Sequence, residues 1–258
     1  MRIECNISEQ LKVSLEAESF AEAELKISEL MKDVLFRNDE IQKNALKFSN
    51  SVDKYLSGKM NNRSMFPFSH CPEILAELWG SSNNLYMPHS VFDKLERMPT
   101  EKKQGHHIPI SIIKQLPIAI HDPIAVFDSA TDIKGQTLVA LLDLKSSDPV
   151  TGKMQNLCTV VEFDVKDYIG TIDLVKSSYG KSDGKYMKWF NEYKAAIYVD
   201  KKRAGKWFQS SGLQLSGGKP FSGSERTILT KEAFVKRKIE KFLPEIRKMF
   251  SEEQEMSM

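Results

Sequence analysis

Cysteine is scarce in this 258-residue chain: Cys5, Cys71 and Cys158 stand far apart, and no CxxC pair occurs. That argues against a disulfide framework and a structural zinc site, and it favours a reducing, cytoplasmic compartment. Long apolar runs are missing too. No segment approaches the roughly 18 uncharged apolar residues that cross a bilayer. The stretch MRIECNISEQLKVSLEAESF lacks the apolar core of an export signal. No membrane partner is therefore expected. The five histidines show no HxH, HxxxH or HExxH spacing, so neither a metal nor a cofactor is predicted. The GxxxxGK[ST] phosphate loop and the dinucleotide fingerprint are absent as well.

What is present is charge, unevenly spread. Residues 1–65 set ten Lys/Arg against eleven Asp/Glu, whereas residues 176–241 set sixteen against six. A folded segment with that surplus attracts polyanions over about 10 Å of screened solvent, and nucleic acid is the commonest of them. A basic face that is merely solvated is the other reading of the same count.

Hydrophobic periodicity divides the chain into two styles. Leu11, Leu15, Phe20, Ala23, Ile27, Leu30 and Val34 recur near every 3.6 residues and predict a helix over residues 8–36. Ile41, Ala45, Phe48 and Val52 predict a second over 40–56, and the two read as an αα-hairpin. The Asn-, Ser- and Pro-rich run at 58–72 reads as a connector, followed by short helices at 73–79, 90–98 and 110–115. From Pro123 the period falls to two. Strands are expected at 124–128, 137–144, 157–165, 170–176 and 195–199, with helices at 186–193 and 201–209. A final helix over 231–254 should kink at Pro244 or divide there into two shorter helices. The expected fold class is α+β: helices packed on an antiparallel sheet of about four strands, with an N-terminal helical hairpin and a C-terminal helix. The matching domain bounds are 1–60 for the hairpin, 73–216 for the α+β domain, and 217–258 for a linker and the last helix.

Three places carry groups suited to phosphate chemistry. His107, beside His106 and after the basic run KKQG, carries an imidazole, the side-chain type that most often serves as a general acid or base. It serves equally as a loop histidine or a helix-start cap. Lys176-Ser177-Ser178-Tyr179-Gly180-Lys181 gathers two ammonium groups, two hydroxyls and a phenol at a strand end. Lysines neutralise phosphate charge and hydroxyls donate to its oxygens, although a polar turn needs the same residues. Gln214, in the small-residue run SSGLQL, can bring an amide to a site. Lys114, Lys176 and Gln214 are the expected substrate-binding residues. His121-Asp122 reads as a turn in which Asp122 bonds a nearby amide.

The runs MPHSVFDKLERM, HHIPISIIKQLPIAIHDPIAVFDS, QTLVALLDL, LCTVVEFDV, LVKSSYGK, AAIYVDKKRA and SSGLQLS, in that order, resemble the C-terminal domain of phage MuF-type head proteins. The resemblance spans about residues 85–216. It implies membership of the barnase–EndoU–colicin–RelE-like nuclease superfamily, and hence metal-independent RNA cleavage. It also implies roles for His107 as the histidine before the LP helix, for Ser178 and Tyr179 in the SxY position, for Lys181 as the basic residue after it, and for Gln214. The expected function is a phage- or prophage-associated endoribonuclease or toxin, with RNA as substrate and a phage head or immunity protein as partner. It would act in the cytoplasm, on a virion or after delivery into a host cell. The alternative is a non-catalytic phage protein that binds nucleic acid or serves a structural role.

Overall fold

The computed structural model describes residues 2–8, 11–61, 64–101, 103, 105–129, 132, 134–191, 196–210, 229–240 and 243–256. The chain folds as two compact units, residues 1–37 with 231–258, and residues 38–230.

The chain enters the smaller unit as a hairpin. Strands β1 (Arg2–Ser8) and β2 (Leu11–Glu16) pair antiparallel, and helix α1 (Phe20–Arg37) follows. The helix expected over 8–36 is thereby corrected in its first half. Leu11 and Leu15 fit both periods, but Val13 between them fits only an alternating strand. Within α1, Ala23, Ile27 and Met31 are buried at i, i+4 spacing.

The larger unit opens with helix α2 (Asp39–Leu56), whose first turn is capped by Asn38 Oδ1 accepting the Ile41 amide at 2.9 Å. Strand β3 (Met65–His70), helix α3 (Glu73–Trp79), strand β4 (Asn84–Pro88), helix α4 (His89–Glu96) and the one-turn helices α5 (Ile110–Ile113) and α6 (Leu116–Ala119) follow. Then come β5 (Ala125–Asp128), β6 (Thr137–Ser147), β7 (Met154–Asp167), β8 (Gly170–Gly180), α7 (Asp183–Asn191), β9 (Ala196–Val199), α8 (Lys201–Ser210) and the two-residue β10 (Leu229–Thr230). Helices α9 (Lys231–Glu240) and α10 (Leu243–Met256) belong to the smaller unit. There Phe36 meets Phe234 and Phe20 meets Phe250, with ring centroids 6.1 and 6.3 Å apart.

The sheet corrects the expectation of about four antiparallel strands. It holds eight, in the order β10-β9-β5-β6-β7-β8-β4-β3, and it is mixed. β4 runs parallel to β8 and β10 parallel to β9, while the pairs between β9 and β8 are antiparallel. Composition hides β3, because MFPFSH lies in a Pro- and Ser-rich stretch. Proline is tolerated there because β3 is the outermost strand and its register slips between Pro67 and Ser69. Phe48 of α2 packs edge-on against Phe66 and Phe68 of β3, centroids 6.0 and 5.1 Å apart. α2 is therefore built onto the sheet edge.

Five successive residues of β6, Leu138 to Leu142, are buried, so the centre of the sheet is covered on both faces. On the face of Phe127, Leu141 and Cys158, helices α7 and α8 contribute Tyr186 and Trp207 to one apolar cluster.

Candidate functional site

Two of the sequence runs, HDP and VDKKRA, meet as a clasp. Asp200 caps α8, its Oδ1 accepting the Arg203 amide at 3.0 Å. The Arg203 guanidinium donates Nε–H to Asp200 Oδ2 at 2.8 Å, and Nη2–H to Asp122 Oδ1 at 2.7 Å and to the Pro123 carbonyl at 2.9 Å. Burial opposes its charge, but Asp122 and Asp200 outweigh burial and raise its pKa above the usual value. Asp122, read from sequence as a local turn residue, instead holds α8 to the chain entering β5. Beside it His121 is buried against Ser69 and the His70 ring, and burial pushes its pKa down to about 3.

A strap connects α4 to α5. The amides of His106, His107 and Ile108 donate to the carbonyls of Lys94, Arg97 and Leu95 at 3.0, 3.0 and 2.8 Å, tying the strap to the end of α4. Gly105 allows this approach: a Cβ there would stand 2.1 Å from the Arg97 oxygen. His107 takes a left-handed backbone, φ 47°, and its side chain is exposed. Its neighbour His106 is the histidine that meets β8. His106 Nε2 lies 3.4 Å from Ser177 Oγ, and its ring centroid is 5.6 Å from that of Tyr179. Burial, helped by the nearby Lys94 charge, lowers the His106 pKa to about 4, so the imidazole is neutral at pH 7.

At the end of β8 the turn is pinned from below. Tyr186 Oη donates to the Asn156 carbonyl at 2.7 Å and accepts the Lys181 amide at 3.2 Å. The Lys181 ammonium sits 4.0 Å from the Trp189 ring centroid and 5.2 Å from that of Tyr179. Among the described residues no carboxylate pairs with it, and burial lowers its pKa. Burial raises the pKa of the Tyr179 phenol, which stays protonated. His106 and Lys181 thus both border the Tyr179 ring.

The other expected residues are placed differently. Ser178 is fully buried and its Oγ accepts a hydrogen bond from Thr159 at 3.1 Å. Lys176 is paired with Glu162 at 2.7 Å and Lys114 with Asp53 at 2.6 Å. Gln214 lies outside the described residues. Ser177, His106 and Trp189 are the neighbours that sequence reasoning passed over. Alternation along β8 was the available signal for Ser177, since it shares a strand face with Tyr179. Gly180-Lys181-Ser182-Asp183-Gly184 also fits GxSxG spacing between a strand and a helix. Ser182 there accepts the amides of Lys185 and Tyr186 at its carbonyl, as a helix start does, and among the described residues no hydrogen bond joins it to a histidine.

Among the described residues no group of three or more His, Cys, Asp or Glu gathers as for a metal ion, and no helix is long and apolar enough to cross a membrane. No curated protein and no solved structure matches the chain. Residues 97–206, which hold the strap, the clasp and strands β5 to β9, match the family model of the phage MuF-C-terminal domain.

Proposed function

We propose that this phage-related domain cleaves RNA without a metal, at the surface formed by His106, Ser177, Tyr179 and Lys181. The carrying observation is that a neutral imidazole and an ammonium group, which no described carboxylate pairs, both border one phenol ring. A phosphodiester fits that surroundings because Lys181 supplies the missing counter-charge and the Ser177 hydroxyl a donor. In the proposed reaction His106 takes the proton from a ribose 2′-hydroxyl. The freed oxygen bonds to phosphorus, the phosphorus–O5′ bond breaks, and the departing oxygen takes a proton from the Tyr179 phenol. Lys181 stabilises the charge that builds on the phosphoryl oxygens in between. The products are a 2′,3′-cyclic phosphate and a 5′-hydroxyl. The phage family supports an association with phage or prophage.

The test is incubation of end-labelled RNA in EDTA with the full chain and its variants. Cleavage to a cyclic phosphate is expected, with His106→Ala slower by roughly 10²–10⁴-fold, the usual worth of a general base. Lys181→Ala should be impaired as well, His107→Ala should match the parent, and a 2′-deoxy strand should resist. Intact RNA throughout, or a loss confined to His107→Ala, overturns the proposal.

A further inference from the structure

The smaller unit carries a groove of its own, about 410 Å³ in volume, between α1 and α9. Its floor is apolar, built from Leu25 of α1, Val235 and Ile239 of α9, and Leu243 at the start of α10. Leu25 is 61% exposed, although Ala23 and Ile27 on either side of it are buried. α1 thus has a second surface besides the one it packs inward. That surface is Ala21, Glu24, Leu25, Ser28 and Lys32, at spacings of three and four, which is one continuous helix face.

Two features of the face point to what covers it. Its charges are balanced about Ser28, with Glu24 one turn before and Lys32 one turn after. They stand about 12 Å apart along the axis, too far to pair with each other. Among the described residues neither takes part in an ion pair. The centre of the face is small: Ala21 and Ser28 leave room for another helix to come close.

We infer that α1 packs antiparallel against α1 of a second copy of this chain, across a two-fold axis at Ser28. Glu24 of each copy then faces Lys32 of the other, so one axis makes two ion pairs. The remaining exposed charges meet no like charge, because Lys26, Glu29 and Asp33 fall level with Leu30, Ile27 and Ala23 of the second copy. Phe36 meets Phe234 and Phe20 meets Phe250, so α9 and α10 run antiparallel to α1. The second copy's α1 therefore runs parallel to α9. Its Leu25 comes level with Ile239, over the apolar floor, and its Glu24 within one turn of Lys236. Among the described residues Lys236 has only a 4.0 Å contact with Glu240 as an ion pair. The same patch serves both copies, so association closes at the dimer. An unrelated helix would fit the floor, but it would leave the balanced placement of Glu24 and Lys32 without consequence. These helices lie outside the residues that match the phage family, and the dimer does not depend on the RNA chemistry.

The test is sedimentation of the full chain over concentrations from about 1 to 200 μM, where a moderate interface dissociates. Monomer should give way to dimer as concentration rises. Leu25→Glu should weaken the dimer at least about tenfold, as loss of a central anchor does, and keep the melting temperature of the dilute parent. Glu24→Lys and Lys32→Glu should each weaken association, and the two together should restore it with the signs exchanged. Ser28→Cys should form a disulfide between copies under mild oxidation, because helices about 8–10 Å apart bring residues on the axis to a Cα separation of about 4–6 Å. Asp33→Cys, exposed on another side of α1, should cross-link no more than the parent. A monomer at every concentration overturns the inference. So does a dimer that persists in Leu25→Glu, which places the contact on another face. A charge exchange that fails to restore association overturns the two-fold at Ser28.

Discussion

Replacing Arg203 should cost more than any surface change of equal size. Its side chain makes three charge-assisted hydrogen bonds, two to carboxylates and one to the Pro123 carbonyl. The groups are mostly enclosed, with side-chain exposures of 23% for Arg203, 17% for Asp122 and 6% for Asp200. Removing one partner of a buried pair costs about 3–5 kcal/mol, chiefly by stranding the remaining charge. Water can reach the Asp122 side, so the lower end, about 3 kcal/mol, is expected for Arg203→Ala. Arg203→Lys should recover only part of this, because one ammonium cannot bridge two carboxylates in the guanidinium geometry. Urea denaturation followed by Trp207 fluorescence is suited to the measurement, since that indole is buried on the same helix one turn later. In a double-mutant cycle, Arg203→Met with Asp122→Asn should show about 1–3 kcal/mol of coupling. A cost below about 1 kcal/mol for Arg203→Ala, or no coupling to Asp122, would refute the clasp as a tertiary restraint.

Other outcomes follow from single contacts. Tyr186→Phe leaves the Asn156 carbonyl and the Lys181 amide without their shared partner, and should lower urea stability by about 1–3 kcal/mol while keeping the ring packing. Gly105→Ala drives a methyl group into the Arg97 carbonyl, so RNA cleavage should fall as far as in His106→Ala, with far-ultraviolet dichroism unchanged; a fully active variant would show that the strap is not fixed. His106 and His121 have folded pKa values near 4 and 3 against 6.5 unfolded, so the unfolded chain binds more protons as pH falls below 6.5. Stability should be full above pH 6.5 and decline progressively toward pH 4, and the decline between pH 6.5 and 5, read from urea midpoints, should weaken in His121→Asn. Residues 38–230 expressed alone should unfold cooperatively, and a broad, non-cooperative melt would show that this unit depends on the rest of the chain.

The middle of the sheet was legible because its strands carry their own signal. β5 to β9 alternate or run continuously apolar, are rich in Val, Ile and Leu, and sit between turn residues. The margins gave no such signal. β4 is five residues long and β10 two, and both join the sheet by parallel pairing with strands remote in sequence. No local pattern encodes a pairing of Leu85 with Asp173. The amphipathic face of α2 was read correctly, but periodicity reports that a face is buried and not what buries it. α2 lies on β3, where a partner helix was expected.

The site shows the same division more sharply, because it turns on a choice between adjacent residues. His106 and His107 are equivalent in composition and charge. Which one turns toward β8 depends on the left-handed backbone at His107, and that in turn depends on three strap amides finding carbonyls on α4. Gly105 is the visible trace of this arrangement in the sequence, but its meaning requires knowing that Arg97 lies against it. Likewise Ser178 and Tyr179 are consecutive, and strand geometry sends one hydroxyl into the packed interior beside Thr159 and the other ring toward His106. HDP and VDKKRA are informative for a different reason: their charged residues close a clasp between segments some eighty positions apart. A motif strong enough to suggest a family can thus be scaffold, while the side chains that gather around the Tyr179 ring include one a single place away from the histidine the motif picks out. Exchanging the two histidines, with His106→Ala and His107→Ala assayed side by side on the same RNA, separates those readings directly: loss of cleavage must follow position 106 if backbone geometry, rather than residue type, decides the role.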